Sequence, residues 1–108
     1  MFVIVFYVPV EFCEKVKQAM FSFGAGSLGN YDQCSWQVLG EGQFRPKFGS
    51  NPAQGEINSL SQVQEYRVEM LCKGEFLETA IQAMKVSHPY EEIAYHVLKH
   101  SEKNNTNA

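Results

Sequence analysis

The sequence predicts an α+β domain whose strands and helices follow the order β-α-β-β-α-β. Residues 2–8 form an apolar and aromatic run, as in a strand buried on both faces. Residues 10–23 and 75–87 repeat apolar side chains every three or four positions, as amphipathic helices do. Residues 63–72 alternate apolar and charged side chains, as a half-buried strand does. A chain of 108 residues has room for one hydrophobic core, so we expect a single domain over residues 1–100.

The first helix is bounded by residues that favour turns. Pro9 ends the first strand, and Gly24 is suited to a left-handed cap at the end of the helix. A second strand is predicted over residues 34–44. Gly40 and Gly42 interrupt it, which indicates either a bulge or a close approach of another part of the chain.

The second half of the chain begins with a long loop over residues 45–62, rich in proline, glycine and asparagine. Loops of that length are usually functional or disordered. The second helix ends where Pro89 disfavours a helical conformation for the residue before it. Residues 93–98 alternate as a fourth strand, and the polar residues 101–108 are expected to form a disordered tail.

This order of elements predicts a ferredoxin-like fold, in which two helices cover one face of a four-stranded antiparallel sheet. The chain has more large apolar side chains than two helices can cover, Phe2 and Trp36 among them. The uncovered face of the sheet is therefore expected to meet another copy of the chain in a homo-oligomer.

Composition argues against several classes of partner. The net charge is −3 and the nine basic residues are scattered, so no nucleic-acid surface is expected. The apolar run at the start stops at Pro9, too early for a secretory signal or a membrane span. The three cysteines, Cys13, Cys34 and Cys72, show no C-x-x-C spacing, and reduced thiols in a cytoplasmic protein are the expected state.

The segment Gly24-Ala25-Gly26-Ser27-Leu28-Gly29 matches the G-x-G-x-x-G pattern of dinucleotide-binding loops. That pattern works between a strand and a following helix, whereas here it follows a helix and precedes a strand. We therefore expect no dinucleotide binding. Two interpretations remain: a plain turn, or a loop whose backbone amides face an anion or a partner.

The segment His88-Pro89-Tyr90-Glu91-Glu92 places an imidazole, a phenol and two carboxylates in one turn. These groups could bind a divalent metal, with His88 and Glu91 as ligands, or transfer a proton. The structural alternative is that His88 and Glu91 satisfy backbone groups of the loop and orient the last strand. No cofactor beyond a divalent metal is indicated.

Four segments together resemble one family: GAGSLGNYDQCSW at 24–36, GEGQFRP at 40–46, NPAQG at 51–55 and HPYEE at 88–92. The chain looks like a stand-alone YqfO-type domain, similar to the domain inserted in the middle of some Nif-three-like (YqfO/YbgI) proteins. The resemblance covers residues 2–98. It implies a fold similar to PII signalling proteins and to the divalent-cation tolerance protein CutA, which are usually trimeric.

The resemblance limits what can be inferred about chemistry. The paired metal ions of the larger family are held by residues in the two halves that flank the insert, so metal-dependent activity does not carry over. The acidic-tyrosine ending of the family's last strand is replaced by YHVL at 95–98, which leaves a shared role for that strand end in doubt. The matching motif positions are the candidate ligand-binding residues: Gly26, Gly29, Asn30, Tyr31, Cys34, His88, Tyr90 and Glu91.

The leading hypothesis is a homo-oligomeric binding or regulatory module, trimeric by fold analogy, with an unknown small-molecule ligand and no catalytic residues. We expect the side chain of His88 to lie near the 26–34 loop, so that both motifs share one surface. The alternative is a protein for divalent-metal binding or metal tolerance that uses the His-Pro-Tyr-Glu turn, with Cys34 as a further ligand. A third class is an enzyme acting on a small phosphorylated or nucleotide substrate.

Overall fold

The computed structural model describes residues 1–100 and contains four strands and two helices in the predicted order. The elements are β1 (Phe2–Pro9), α1 (Cys13–Ser22), β2 (Trp36–Phe44), β3 (Ser61–Cys72), α2 (Leu77–Ser87) and β4 (Tyr95–Lys99). Single turns of 3-10 helix, Val10–Phe12 and Gly74–Phe76, lead into the two helices. The tail predicted over residues 101–108 lies outside the described residues.

The sheet is antiparallel throughout and has the strand order β2-β3-β1-β4. This confirms the ferredoxin-like prediction. In the central strand β1, Ile4, Phe6 and Val8 point toward the helices and are fully buried. Val5 on the other face is also buried, as expected for a strand covered on both sides. The core between sheet and helices is completed by Val16 and Met20 of α1, Val68 and Met70 of β3, and Ala80 and Met84 of α2.

Several element boundaries differ from the sequence prediction by two or three residues. The first helix becomes α-helical only at Cys13, because the chain leaves Pro9 through a turn of 3-10 helix. Strand β3 begins at Ser61, two residues early, because Ser61 pairs with Phe44 of β2. Strand β4 begins at Tyr95, where pairing with β1 begins. Hydrogen bonding to a neighbouring strand sets the limits of β3 and β4, and the side-chain pattern alone does not show where that pairing begins.

The two helices run in opposite directions, which separates the two sequence motifs. Each helix returns the chain along the strand before it, and β1 and β3 are antiparallel. The turn after α1 therefore lies where β3 ends, and the Gly26 amide donates to the carbonyl of Leu71 (2.8 Å). The turn after α2 lies where β1 ends, beside the carbonyl of Tyr7. The expectation that His88 lies near the 26–34 loop is wrong.

The sheet face turned away from the helices is called the open face here. The registers place Tyr7, Trp36, Val38, Arg67 and Leu98 on it. Trp36, Val38 and Leu98 are each about half exposed. Near the middle, Arg67 donates to the Tyr7 hydroxyl (3.3 Å) and to Glu69 (3.2 Å). The open face thus combines exposed apolar side chains with a small polar cluster.

Within residues 1–100, no helix has both the length and the apolar character needed to cross a membrane.

Candidate functional site

A cavity of about 540 Å³ lies on the open face where β1 ends, between the loop that follows β2 and the turn that follows α2. We call it the loop–sheet cavity. Its sheet side is formed by Tyr7, Gly42 and Glu65, and its outer walls come from residues 43–54 and 90–94. The volume is within the usual range for small-molecule sites. The cavity is therefore the candidate functional site.

Glu65 and Gly42 form the floor of the cavity. Glu65 lies on β3, and its carboxylate extends across the neighbouring strand over Gly42. A Cβ atom at position 42 would collide with the Glu65 Oε1 and Cδ atoms. The β2–β3 pairing is continuous from Trp36 to Phe44, so Gly42 allows a close approach rather than a bulge. Any side chain at position 42 would displace the carboxylate.

Tyr90 closes the cavity on the side of the turn. Its hydroxyl donates to Glu65 Oε2 at 2.8 Å, and its ring lies 6.2 Å from the ring of Phe44, centroid to centroid. Burial raises the pKa of the Tyr90 phenol far above its ordinary value, and the hydrogen bond to Glu65 and the charge of that carboxylate raise it further. Tyr90 therefore stays a neutral donor.

His88 lies beneath Tyr90 and is buried. Its Nε2 is 2.6 Å from the carbonyl oxygen of Tyr7, so Nε2 carries the proton and donates. Its Nδ1 accepts from the backbone amide of Tyr90 at 3.2 Å. Burial lowers the pKa of His88 below its ordinary value, against the opposing effects of the Tyr7 hydrogen bond and of Glu65. The histidine is neutral and in one tautomer, and it positions Tyr90.

This geometry does not support the predicted metal site. Both ring nitrogens of His88 are engaged in hydrogen bonds within the fold, since Nε2 carries the proton and the Nδ1 lone pair accepts the Tyr90 amide, so neither is free for a metal. The other predicted ligand, Glu91, accepts the backbone amide of Asn51 through Oε1. Among residues 1–100, no group of three or more histidine, cysteine, aspartate or glutamate side chains is arranged to hold a metal ion.

The long loop between β2 and β3 is held in place over the cavity. The backbone amide of Asn51 donates to Glu91 Oε1 at 2.8 Å, which links the loop to the turn after α2. Inside the loop, the backbone amide of Asn58 donates to the carbonyl of Pro46 (2.6 Å), and the backbone amide of Ser50 donates to the carbonyl of Lys47 (3.0 Å). Such a loop was expected to be either functional or disordered. These contacts favour the functional interpretation, in which the loop forms a wall of the cavity.

The loop over residues 24–34, called the glycine loop, lies at the opposite end of the sheet and is internally hydrogen-bonded. The Cys34 amide donates to the carbonyl of Gly26 (2.8 Å), and Leu28 and Tyr31 exchange amide-to-carbonyl bonds across a two-residue turn. Gly29 and Asn30 form the tip of that turn, and Gly29 has a positive φ of 59°. Because these amides face carbonyls, the geometry supports a plain turn rather than an anion site.

The candidate residues therefore fall into two groups. Gly26, Gly29, Asn30, Tyr31 and Cys34 lie together in the glycine loop, and His88, Tyr90 and Glu91 lie together at the cavity. The two groups lie at opposite ends of the sheet, so they do not form one site within a chain.

The three cysteines differ in their exposure. All three are free, and Cys13 and Cys72 are buried. Burial raises the pKa of each of these two thiols above its ordinary value, so neither is a thiolate at neutral pH. Cys34 is partly exposed, and its thiol lies 3.6 Å from the carbonyl oxygen of Asp32.

Sequence reasoning missed Tyr7 and Glu65 of the cavity, and it noted Gly42 and Phe44 only as members of the 40–46 segment and not as site residues. One signal could have indicated them. Glu65 is a charged residue on the non-core side of the alternating pattern in β3, and two glycines occupy the neighbouring strand. A carboxylate beside two glycine positions of the neighbouring strand indicates a polar group at a recess.

Comparison with curated proteins finds relatives that are much longer than this chain. The chain is 42% identical over 94 residues to a GTP cyclohydrolase 1 type 2 homolog of Mycobacterium leprae, which covers 87% of the chain and 24% of the relative. It is 41% identical over 91 residues to the protein of the same name in Bacillus subtilis, with 84% and 24% coverage. The chain thus spans about a quarter of the length of these relatives. No protein-family model matches it.

Solved structures show the same relationship. A Bacillus cereus protein related to NIF3 superposes with a TM-score of 0.76 at 36% identity, over 90% of this chain and 24% of that one. The PII-like protein CutA from Nostoc sp. PCC 7120 superposes with a TM-score of 0.65 at 14% identity, over 92% of this chain and 80% of that one. The second match shows the fold alone. The predicted resemblance to one segment of Nif-three-like proteins and the PII/CutA-like fold are both confirmed.

Proposed function

We propose that this chain is a binding or regulatory module that takes a small molecule in the loop–sheet cavity and acts as a homo-oligomer. The observation that carries the proposal is the cavity itself, about 540 Å³ in volume, with Glu65 on its floor and the Tyr90 hydroxyl bonded to Glu65 at its side. Apolar walls around a few placed polar groups are typical of small-molecule sites.

The walls of the cavity are held in place by hydrogen bonds, which favours a ligand of defined shape. His88 fixes the position of Tyr90 through two hydrogen bonds, and Glu91 fixes the loop through Asn51. A site whose walls are held before binding loses less conformational entropy when the ligand enters. This is the expected design for a module that senses a small molecule.

A binding role fits the cavity better than a catalytic one. Its polar pair, Tyr90 and Glu65, consists of a phenol held neutral and a carboxylate that accepts its proton in a hydrogen bond. A general acid or base works best with a pKa near the working pH, and burial moves the phenol away from that range. The free and mostly buried thiols suit a reducing compartment such as the cytoplasm.

The homo-oligomer is supported by the open face. Trp36 is 57% exposed there, and Val38 and Leu98 are also exposed on the same side of the sheet. A second copy of the chain would remove these side chains from water. A trimer is the state suggested by fold analogy. Light scattering at micromolar concentration tests this part: a mass above that of one 12.3 kDa chain supports it, and a monomer mass rules it out.

The binding function is tested with a panel of cationic, neutral and anionic benzene derivatives, followed by NMR of the ¹⁵N-labelled chain. At least one compound should shift the amides of Gly42, Phe44 and Tyr90. The variant Ala53→Trp places an indole on the cavity wall and should abolish these shifts. Glu56→Trp changes an exposed residue of the same loop that does not line the cavity and should leave them intact. Shifts confined to residues 26–34 would refute this location.

A further inference from the structure

The floor of the loop–sheet cavity carries an acceptor with spare capacity. Glu65 is partly buried, and its Oε2 accepts the Tyr90 hydroxyl. Its Oε1 lies over Gly42 and accepts no hydrogen bond from any residue of the range 1–100. A partly dehydrated carboxylate oxygen is stabilised strongly by a charged donor, because charge-assisted hydrogen bonds are about twice as strong as neutral ones. The floor therefore favours a nitrogen that brings both a proton and a positive charge.

Aromatic rings line the walls around this acceptor. Tyr7, Phe44, Phe48 and Tyr90 all contribute to the cavity. Phe48 is 94% exposed, so its ring is left without packing partners on most of its surface. Aromatic faces attract cations, and an apolar group of a ligand would cover the exposed ring.

The charges at the cavity add to the same preference. Glu65, Glu91 and Glu92 line it together with Arg45 and Lys47, which leaves an excess of one negative charge. Arg45 and Lys47 are exposed and form no ion pair within the part of the chain that the structure describes. Solvent screens the charges of Arg45 and Lys47, whereas the partly buried charge of Glu65 is screened less. The chain as a whole carries a net charge of −3, which attracts cations at long range.

We infer that the loop–sheet cavity binds a small organic cation, namely an ammonium group joined to an aromatic ring through a methylene group. The ammonium donates to Glu65 Oε1, and the ring lies against Phe44 and Tyr90 beneath the exposed ring of Phe48. This inference rests on the proposed function, since it names the ligand class of the same cavity.

The main competitor is an aromatic anion that Arg45 and Lys47 would hold. Such a ligand would bring a carboxylate toward Glu65 or would leave its charge at the exposed rim. The first arrangement is repulsive, and the second gains little because exposed ion pairs contribute about 0–1 kcal/mol. The cavity therefore favours the cation, and preferential binding of an aromatic anion would contradict the inference.

Three probes of similar size and different charge test the inference on the full chain: benzylamine, benzyl alcohol and benzoate. At pH 7 benzylamine should shift the amides of Gly42 and Tyr90 and bind about fivefold or more tightly than benzyl alcohol, as expected for a cation beside a carboxylate and aromatic rings. Glu65→Gln keeps the side-chain shape and an acceptor for Tyr90, and should remove this preference.

Glu69→Gln is the matched control. Glu69 lies four residues further along the same face of β3, is also partly buried, and does not line the cavity. It should leave the preference for benzylamine unchanged. A binding preference for benzoate, or a preference for benzylamine that survives Glu65→Gln, would overturn the inference.

The three probes also separate this inference from the proposed function. If benzyl alcohol or benzoate shifts the cavity amides and benzylamine does not, the cation inference fails and the binding function stands. If none of the three probes shifts these amides, both fail.

Discussion

The phenol of Tyr90 and the carboxylate of Glu65 are joined by a 2.8 Å hydrogen bond across 25 positions of the sequence. Glu65 comes from the third strand, and Tyr90 comes from the turn after the second helix. The bond connects the sheet to that turn and closes one side of the cavity. Its loss should affect both stability and binding.

Replacing Tyr90 by phenylalanine should lower the free energy of unfolding by about 1 kcal/mol, because a partly buried carboxylate loses its donor. Chemical denaturation measures the change. Tyr31→Phe is the control, since Tyr31 is 76% exposed and its hydroxyl makes no hydrogen bond within residues 1–100. Equal stabilities for the two variants would contradict a structural role for the Tyr90 hydroxyl.

Stability should depend on pH through His88. Its pKa in the fold lies below the ordinary value of 6.5, so the unfolded chain binds a proton more readily. The contribution of His88 to stability is therefore full above pH 6.5 and is lost as pH falls from there toward the lowered pKa. Denaturation curves between about pH 7.5 and pH 5.5 should show the free energy of unfolding decreasing as the pH is lowered.

Two histidine variants identify the source of that pH dependence. His88→Ala should cost about 2 kcal/mol at neutral pH, because it leaves the Tyr7 carbonyl and the Tyr90 amide without their partner, and it should flatten the pH profile. His96→Ala changes an exposed histidine on the open face and should keep the slope. A slope that persists in His88→Ala would assign the effect to another group.

Two glycines with similar backbone angles should respond differently to alanine. Gly24 has a φ of 103° and Gly49 a φ of 98°, so both substitutions strain the backbone. At Gly24 the new Cβ would also collide with the side chain of Phe76, whereas at Gly49 it meets nothing within 4 Å. Gly49→Ala should cost about 1 kcal/mol and Gly24→Ala at least about 2 kcal/mol by thermal melting. Equal costs would show that Phe76 moves freely.

The proposed homo-oligomer predicts a difference between the two faces of strand β2. Trp36 on the open face is 57% exposed, and Leu39 on the helix side is 51% exposed. A glutamate at position 36 should reduce the mass seen by light scattering to that of one chain, because a charge would be buried at the contact. Leu39→Glu should keep the oligomer. Dissociation by Leu39→Glu alone would move the interface to the other face.

Much of the fold could be predicted from local pattern. The alternation in residues 63–72 identified β3, and the apolar run at 2–8 identified a strand buried on both faces, as Val5 and Phe6 confirm. The early start of β3 at Ser61 could not be predicted in this way, because polar residues there continue the strand only through pairing with β2.

The candidate site overlaps in part with the residues that the sequence singled out. Tyr90 and Glu91 belong to the turn that the sequence singled out, and both line the cavity. Their partners could not be predicted from spacing, because Tyr7, Gly42 and Glu65 meet only through the registers of three strands. The wrong placement of His88 came from the topology and not from missing register information. The antiparallel pairing of β1 and β3 requires the two helices to end at opposite ends of the sheet, whereas the prediction placed both helix ends together.

The pairing of the first and last strands has a consequence for how such a domain can be joined to other proteins. Phe2 lies opposite Lys99 in the sheet, and the His100 amide donates to the carbonyl of Met1 at 2.9 Å. The start and the end of the described fold are therefore neighbours. A unit with adjacent ends can be placed within a surface loop of a host protein, because the host chain leaves and re-enters at one point. This geometry suits a fold that also makes up about a quarter of longer relatives.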